Sequence, residues 1–230
     1  MQTPIYSQGA DDITHPHIRT FHARHGRMSS RRETALTQLL PKLEISGLAR
    51  PMDLRLVMDR SEIIIDFGSG MGDHAIELAS NNPDIGVLAM DVHTVGLCEV
   101  ASHASERELK NIRTHHGDGL DVLSGWLTPE SISQVHVLFP DPWPKARHHK
   151  RRLIQPQVVS QIVQVLRPGG SICFTTDDPN YFDHAVAVFD SDVNLRAVLG
   201  NWEAPLTTYH KRALRLGNPI NTVQYSKLGI

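Results

Sequence analysis

Asp66-Phe67-Gly68-Ser69-Gly70-Met71-Gly72-Asp73 follows directly on the apolar run Ile63-Ile64-Ile65. Such a run, ending in a dense glycine turn, reads as a strand passing into a helix. Glycines 68, 70 and 72 permit the tight turn and let a ligand approach the backbone closely. A dinucleotide fingerprint, G-x-G-x-x-G, would place its third glycine at position 73, where this chain has Asp73. The spacing is instead G-x-G-x-G, opened by the acid Asp66. Carboxylates in this position repel a phosphate and attract a cation.

Outward from this turn the chain alternates. Strand signals fall at 62–67, 86–91, 111–116, 134–139 and 171–175, with a late one at 223–225. Helical patterns fill 73–80, 94–109 and 155–166, the last closed by Arg167-Pro168-Gly169-Gly170, and another runs from Pro179 to about 189. Short apolar strands separated by helices indicate an α/β fold, a Rossmann-like doubly wound sheet that is mostly parallel. Ahead of it, residues 1–30 are polar, rich in His and Arg and without periodicity, which reads as a basic amino-terminal arm. A leading helix is expected over 30–40, stopped before Pro41. The division is therefore 1–50 for arm and leading helix, and 51–230 for the α/β domain.

A net charge of −2 suggests no polyanion partner, but its distribution does. Residues 13–32, 142–176 and 204–230 contain no Asp or Glu. They carry fifteen of the 23 basic residues, so a basic side facing nucleic acid is expected in front of a more acidic body. No apolar run approaches the length of a membrane span, and the first residues lack a secretory pattern. Cys98 and Cys173 stand alone in apolar segments, offering neither a metal pattern nor a disulfide framework. These features point to a cytoplasmic protein. The adjacent pairs His115-His116 and His148-His149 lack metal-ligand spacing, so no metal is expected.

Two further acids sharpen the ligand. Asp91 ends the second strand, where a carboxylate can accept ribose hydroxyls, and Asp118 follows the third, within reach of an adenine amino group. An acid before a helix is also a common cap. Three acids at successive strand ends suit a cationic nucleoside, and S-adenosylmethionine carries a sulfonium and an ammonium without a phosphate. After the fourth strand comes Phe139-Pro140-Asp141-Pro142-Trp143-Pro144-Lys145-Ala146-Arg147-His148-His149-Lys150-Arg151-Arg152. The prolines hold Asp141 on a stiff turn. Trp143 is expected to offer a face for a purine, and the run from Lys145 to Arg152 to bind flanking phosphates.

The glycine loop and its acids resemble those of the class I S-adenosylmethionine-dependent methyltransferases. The stretch from Phe139 to Arg152 resembles the hallmark of bacterial tRNA (guanine-N7)-methyltransferases, which modify guanine 46 in the variable loop. Further matches lie at Arg19-Thr20-Phe21, Gly26-Arg27-Met28, Met90-Asp91-Val92-His93, Thr175-Thr176-Asp177, Thr207-Thr208-Tyr209-His210 and Arg215-Leu216-Gly217. The resemblance implies a class I methyltransferase using S-adenosylmethionine on tRNA, as monomer or homodimer. It implies donor contacts at Asp66, Gly68, Gly70, Gly72, Asp91, Asp118 and Asp141, with Asp141 also the catalytic acid. Substrate contacts fall on Lys145, Arg147, His148, His149, Lys150, Arg151, Arg152, Asp177, Thr207 and His210. Two positions depart from the pattern: the loop acid is Asp66 rather than Glu, and His210 stands where the family has Glu. A neutral imidazole has one acceptor nitrogen and cannot make a carboxylate's paired contact with the guanine edge.

Overall fold

The computed structural model describes residues 18, 20, 21, 29–200 and 202–229. The expected arm, with Arg19, Arg24, Arg27 and Gly26-Arg27-Met28, lies outside the described residues apart from Ile18, Thr20, Phe21 and Ser29. The strands are β1 (Glu62–Phe67), β2 (Ile85–Asp91), β3 (Ile112–His116), β4 (Ile132–Leu138), β5 (Leu166–Thr176), β6 (Leu195–Ala197) and β7 (Asn221–Lys227). The helices are α1 (Ser30–Thr34), α2 (Leu40–Leu43), α3 (Leu54–Met58), α4 (Asp73–Asn81), α5 (Thr94–Glu106), α6 (Gly119–Leu123), α7 (Pro156–Val165), α8 (Pro179–Asp190) and α9 (Thr208–Leu216). A π-helical turn at Ala35–Leu39 joins α1 to α2, and a 3-10 turn spans Ala146–Arg151.

The sheet runs β3-β2-β1-β4-β5-β7-β6, with β1 to β5 parallel, β7 antiparallel to β5 and β6 antiparallel to β7. This is the doubly wound, mostly parallel sheet expected. Ile63, Ile64 and Ile65 are buried because β1 is central and covered on both faces, which is why it reads as a continuous apolar run. On one face Ala75, Ile76 and Ala79 of α4 meet Val100 and Ala104 of α5 over Val87 and Ala89. On the other, Val158, Ile162 and Val165 of α7 and Tyr181, Ala185 and Phe189 of α8 pack over β4 and β5. The strand order reverses between β1 and β4, so a crevice opens at their carboxyl ends, where open sheets bind ligands.

Four local expectations change. The leading helix does not stop at Pro41, because Pro41 falls in the first turn of α2, where its missing N–H is no loss. Leu40 then packs against Leu97 and Ala101 of α5. The helix expected over 94–109 ends at Glu106, and Glu108 takes a left-handed φ of 54°. β5 begins at Leu166 rather than at 171; its pairing skips from Ile132–Leu166 to Gln134–Ser171, so Arg167 to Gly170 form an outward irregularity within the strand. The late strand extends over Asn221–Lys227 and recruits β6, which periodicity could not reveal in three residues.

The charge map changes more. Arg31 reaches Glu99 and Glu106 of α5 at 2.6 and 2.9 Å, and Arg32 reaches Glu99 at 2.7 Å. Arg167 pairs with Glu62 at 2.9 Å and Lys227 with Glu130 at 3.0 Å. Segments free of acid along the chain are thus partly neutralised by acids brought in from elsewhere.

Candidate donor and acceptor site

The glycine loop is moored to the end of β2. Gly68 and Ser69 both donate their N–H groups to the Met90 carbonyl at 2.9 Å, and Gly70 donates to Asp91 Oδ2 at 2.7 Å. Asp91 Oδ1 accepts from His93 N at 2.8 Å, so this carboxylate fastens the loop and also opens α5. Gly72 has φ 82°, and a Cβ there would meet Val100 Cγ2 at 2.2 Å. Gly96 is pressed harder: its Cβ would lie 1.7 Å from the Gly70 carbonyl oxygen. Only hydrogen fits between α5 and the loop at that point.

Asp91, Asp118 and Asp141 line one cavity of about 120 Å³, together with Gly68 and Gly70. Thr20, Phe21 and Tyr209 complete its wall. Asp118 also caps α6, accepting from Leu120 N at 3.0 Å, while lining the cavity. Asp66 is the exception among the four acids. It lines an adjoining cleft with Ser69, His74, Thr207 and Thr208, not the cavity of the other three. Its carboxyl is buried, and Oδ2 has no hydrogen-bond partner. Burial, with the Asp91 charge nearby, pushes its pKa up to about 7. Asp91 is likewise raised, chiefly by burial and against the backbone N–H groups that it accepts. An orphaned buried carboxyl oxygen beside an acid-lined cavity is the environment that a cationic donor satisfies.

Behind Asp66 lies a polar chain absent from the sequence reading. His136 is the register partner of Asp66 across β1 and β4. Its Nε2 lies 2.8 Å from Gln134 Oε1, and its Nδ1 lies 2.8 Å from His74 Nε2. The amide oxygen accepts from Nε2–H of His136, leaving Nδ1 to accept from Nε2–H of His74. Burial lowers the pKa to about 3 for His136 and about 4 for His74, so both are neutral and the chain runs in one direction.

The acceptor loop is strained on both sides of Asp141. Phe139 and Trp143 have φ of 50° and 45°, a region that bulky side chains rarely adopt and that clusters at functional sites. Asp141 lines the same cavity as Asp91 and Asp118. Trp143 is not an open platform: it is buried, donates Nε1–H to the Thr20 carbonyl at 2.9 Å, and lies beneath Arg151, whose Cζ is 4.8 Å from the ring centroid. The expectation of purine stacking on Trp143 is corrected accordingly. Arg152 is not an exposed member of the basic run either. It is 1% exposed, donating from Nε to Pro142 O at 3.0 Å and from Nη2 to Asn180 Oδ1 at 2.7 Å, over the Tyr181 ring. His149 turns its Nε2 into the protein, with no hydrogen-bond partner there. Lys145, Arg147 and Lys150 are exposed, and Arg151 and His148 partly so.

α9 brings the remaining residues. The Thr207 hydroxyl accepts from His210 N at 3.1 Å and so caps the helix, while the residue also lines the cleft beside Asp66. Thr208 is tied to the loop acid Asp73, its hydroxyl lying 2.5 Å from Oδ2. His210 Nδ1 lies 3.0 Å from the Pro205 carbonyl, so Nδ1 carries the proton and Nε2 is the acceptor in the neutral ring. The ring sits 5.8 Å from Phe139 of the acceptor loop. Asp177 accepts from Asn218 Nδ2 at 2.9 Å and does not line the donor cavity. Tyr209, which borders both cavity and cleft, was passed over; its signal was membership of the Thr207-Thr208-Tyr209-His210 match. Among the described residues no group of three His, Cys, Asp or Glu is arranged to hold a metal, and no helix is long and apolar enough to cross a membrane.

A glycine loop clasped to β2, acids at the ends of β1, β2 and β3, and a sheet closed by the β7 hairpin define a class I S-adenosylmethionine-dependent methyltransferase. A family model described as a putative methyltransferase matches residues 60–223. The chain is 38% identical over 219 residues to the tRNA (guanine-N(7)-)-methyltransferase of Nitrosospira multiformis, covering 93% of this chain and 96% of that protein. It is 36% identical to the corresponding protein of Nitrosomonas eutropha, with 93% and 98% covered. Among solved structures, the 16S rRNA methyltransferase KamB matches in fold, with a TM-score of 0.58 at 15% identity over 80% of this chain and 97% of that one. The chain belongs to the tRNA (guanine-N7)-methyltransferase family.

Proposed function

We propose that the protein methylates N7 of guanine 46 in the variable loop of tRNA, as a cytoplasmic monomer or homodimer. In this reading residues 51–230 are the methyltransferase domain, and residues 1–50 are its basic arm and leading helix. The observation that carries the reading is the convergence of Asp91, Asp118 and Asp141 on one cavity beside the orphaned carboxyl of Asp66. When bound, S-adenosylmethionine supplies an electrophilic methyl group on its sulfonium. Asp91 has a free side for the ribose hydroxyls while its other lone pairs hold the loop. Asp118 would accept from the adenine amino group, and Asp66 would balance the donor's positive charge.

N7 of guanine carries a lone pair and no proton, so no base is needed to generate the nucleophile. The ring becomes cationic as the methyl arrives. Asp141, held by the prolines at the β4 end, positions the guanine and stabilises that developing charge. His210 Nε2 offers one acceptor toward the guanine edge, and the exposed Lys145, Arg147 and Lys150, with the partly exposed Arg151, take flanking phosphates. The test is incubation with methyl-labelled donor and unmodified tRNA transcripts, followed by nucleoside analysis. Label in 7-methylguanosine at position 46 is expected; label in another nucleoside or in none would reject the reading.

A further inference from the structure

Next to the donor cavity, across Thr20, lies a second groove of about 610 Å³ that the acceptor motif does not account for. Thr20 lines both. Their chemistry is opposite. The donor cavity is walled by Asp91, Asp118 and Asp141, whereas among the described residues no acid lines the groove. Gln155, Gln157 and Gln161 border it, with Lys150 and the buried Arg152, over Leu120 and Val158. Gln157 and Gln161 stand one helical turn apart in α7, so they share a face. Gln155 anchors its Nε2 on the His149 carbonyl at 2.9 Å, which leaves Oε1 as its acceptor.

We propose that this groove holds the nucleotide next to the methylated guanine, one base of the same RNA strand. Resting on the assignment of tRNA as substrate, the inference extends it beyond the basic strip to a base-sized subsite. Leu120 and Val158 are buried apolar side chains against which a flat ring can lie. Amide side chains carry both donors and acceptors, so three of them can meet the mixed edge of any base. Lys150 places a cation at the exposed border for the phosphate. A groove of this size suits a nucleotide, and its acid-free lining suits a polyanion in a protein whose donor cavity is lined with acids.

The test uses the full chain and a labelled single-stranded oligoribonucleotide containing guanine, beside methyl transfer to tRNA transcripts. Gln157→Ala/Gln161→Ala should weaken oligoribonucleotide binding and raise KM for tRNA by about five- to thirtyfold, the scale of one base contact. Its donor affinity, read by calorimetry, should equal that of the wild type. Gln161→Lys should act in the opposite direction and tighten RNA binding. A tRNA made abasic at one or other neighbour of guanine 46 should lose affinity for the wild type but not for the double variant. Unchanged binding in both glutamine variants, or equal abasic losses in wild type and double variant, would overturn the groove. A wild type that binds the oligoribonucleotide with the expected glutamine dependence but never methylates tRNA would leave the groove standing and reject the assigned substrate.

Discussion

Trp143 donates its indole N–H to the Thr20 carbonyl at 2.9 Å, so a residue of the acceptor loop holds the segment that walls the donor cavity. That cavity, about 120 Å³, is smaller than the roughly 300 Å³ at which sites for drug-sized ligands begin. Thr20 and Phe21 form part of its wall, so in the proposed reading their displacement widens the way in for the donor. Removing the bond should ease that movement. Trp143→Phe keeps the aromatic packing and deletes one hydrogen bond, so donor association should quicken by about two- to tenfold. Stopped-flow binding reads this directly, and an unchanged rate would mean that Thr20 does not gate entry.

Asp141→Asn keeps the shape of the side chain and removes its charge. Turnover should fall by about two to three orders of magnitude, the scale of losing one preorganised electrostatic group. Donor affinity should stay within a few-fold of wild type, because Asp91 and Asp118 still line the cavity. Single-turnover transfer beside donor titration separates the two effects, and near-normal turnover would remove Asp141 from the reaction.

Burial raises Asp66 to about 7, so without donor it is largely protonated below neutrality. A cationic donor favours the ionised form and lowers that pKa in the complex. Affinity is therefore weakest where the proton must be expelled, rising with pH and levelling off near the donor-free value of about 7. Calorimetry in buffers of different ionisation enthalpy should find proton release on binding at pH 6. In Asp66→Asn both the release and the slope should vanish; their persistence would assign the titration to another group.

Arg152 and its neighbours in the basic run should separate cleanly. Arg152→Ala leaves the Pro142 and Asn180 oxygens without their donor and should destabilise the fold by about 2–4 kcal/mol. Its direct effect on the salt dependence of RNA binding should be small. Replacing Arg147, Lys150 and Arg151 together with Ala should instead leave the unfolding midpoint nearly unchanged. Their loss should flatten the slope of log affinity against log salt by about two to three units. Urea denaturation and binding titrations at several salt concentrations score both, and a wild-type slope in the triple variant would take the strip off the binding face.

His74 and His136 give the fold an acid limit. Both are depressed, to about 4 and about 3, below the ordinary histidine value of 6.5. Between these values the unfolded chain binds protons that the folded chain refuses, so stability rises with pH there. The stabilisation is complete above about pH 6.5 and is lost progressively as pH falls toward 4. Urea midpoints between pH 7 and pH 4.5 should therefore drop. His74→Leu/His136→Leu should show a shallower drop, and an equal one would assign the acid sensitivity elsewhere.

The parallel sheet was legible because Ile63-Ile64-Ile65 and the glycine loop are local patterns whose meaning does not depend on distant residues. Asp91, Asp118 and Asp141 were legible for the same reason: each closes a strand, and the topology gathers strand ends. Arg152 was misread because a basic run looks the same whether its members face solvent or insert beneath a loop; only the approach of Asn180 and Tyr181 distinguishes them. Arg31 and Arg32 were misread in the same way, since Glu99 and Glu106 are far away along the chain. Trp143 was taken for a platform because an aromatic between prolines carries no mark of what covers it. The His74–His136–Gln134 chain spans two elements, leaving no local spacing to detect.

The reversal of strand order between β1 and β4 also divides the labour of the chain. Gly68, Gly70, Asp91 and Asp118 all come before β4, and Asp141, Lys150, Gln157 and His210 all come after it. In the proposed reading the residues before β4 face the donor alone, while those after it are shared between the nucleic acid and the donor cavity, whose wall also takes in Asp141, Leu153 and Tyr209. On that reading, drift at Lys150, Gln157 and His210, none of which lines the donor cavity, can retune which guanine is reached without touching the cofactor pocket. His210, which stands outside that cavity, is among the residues free to change.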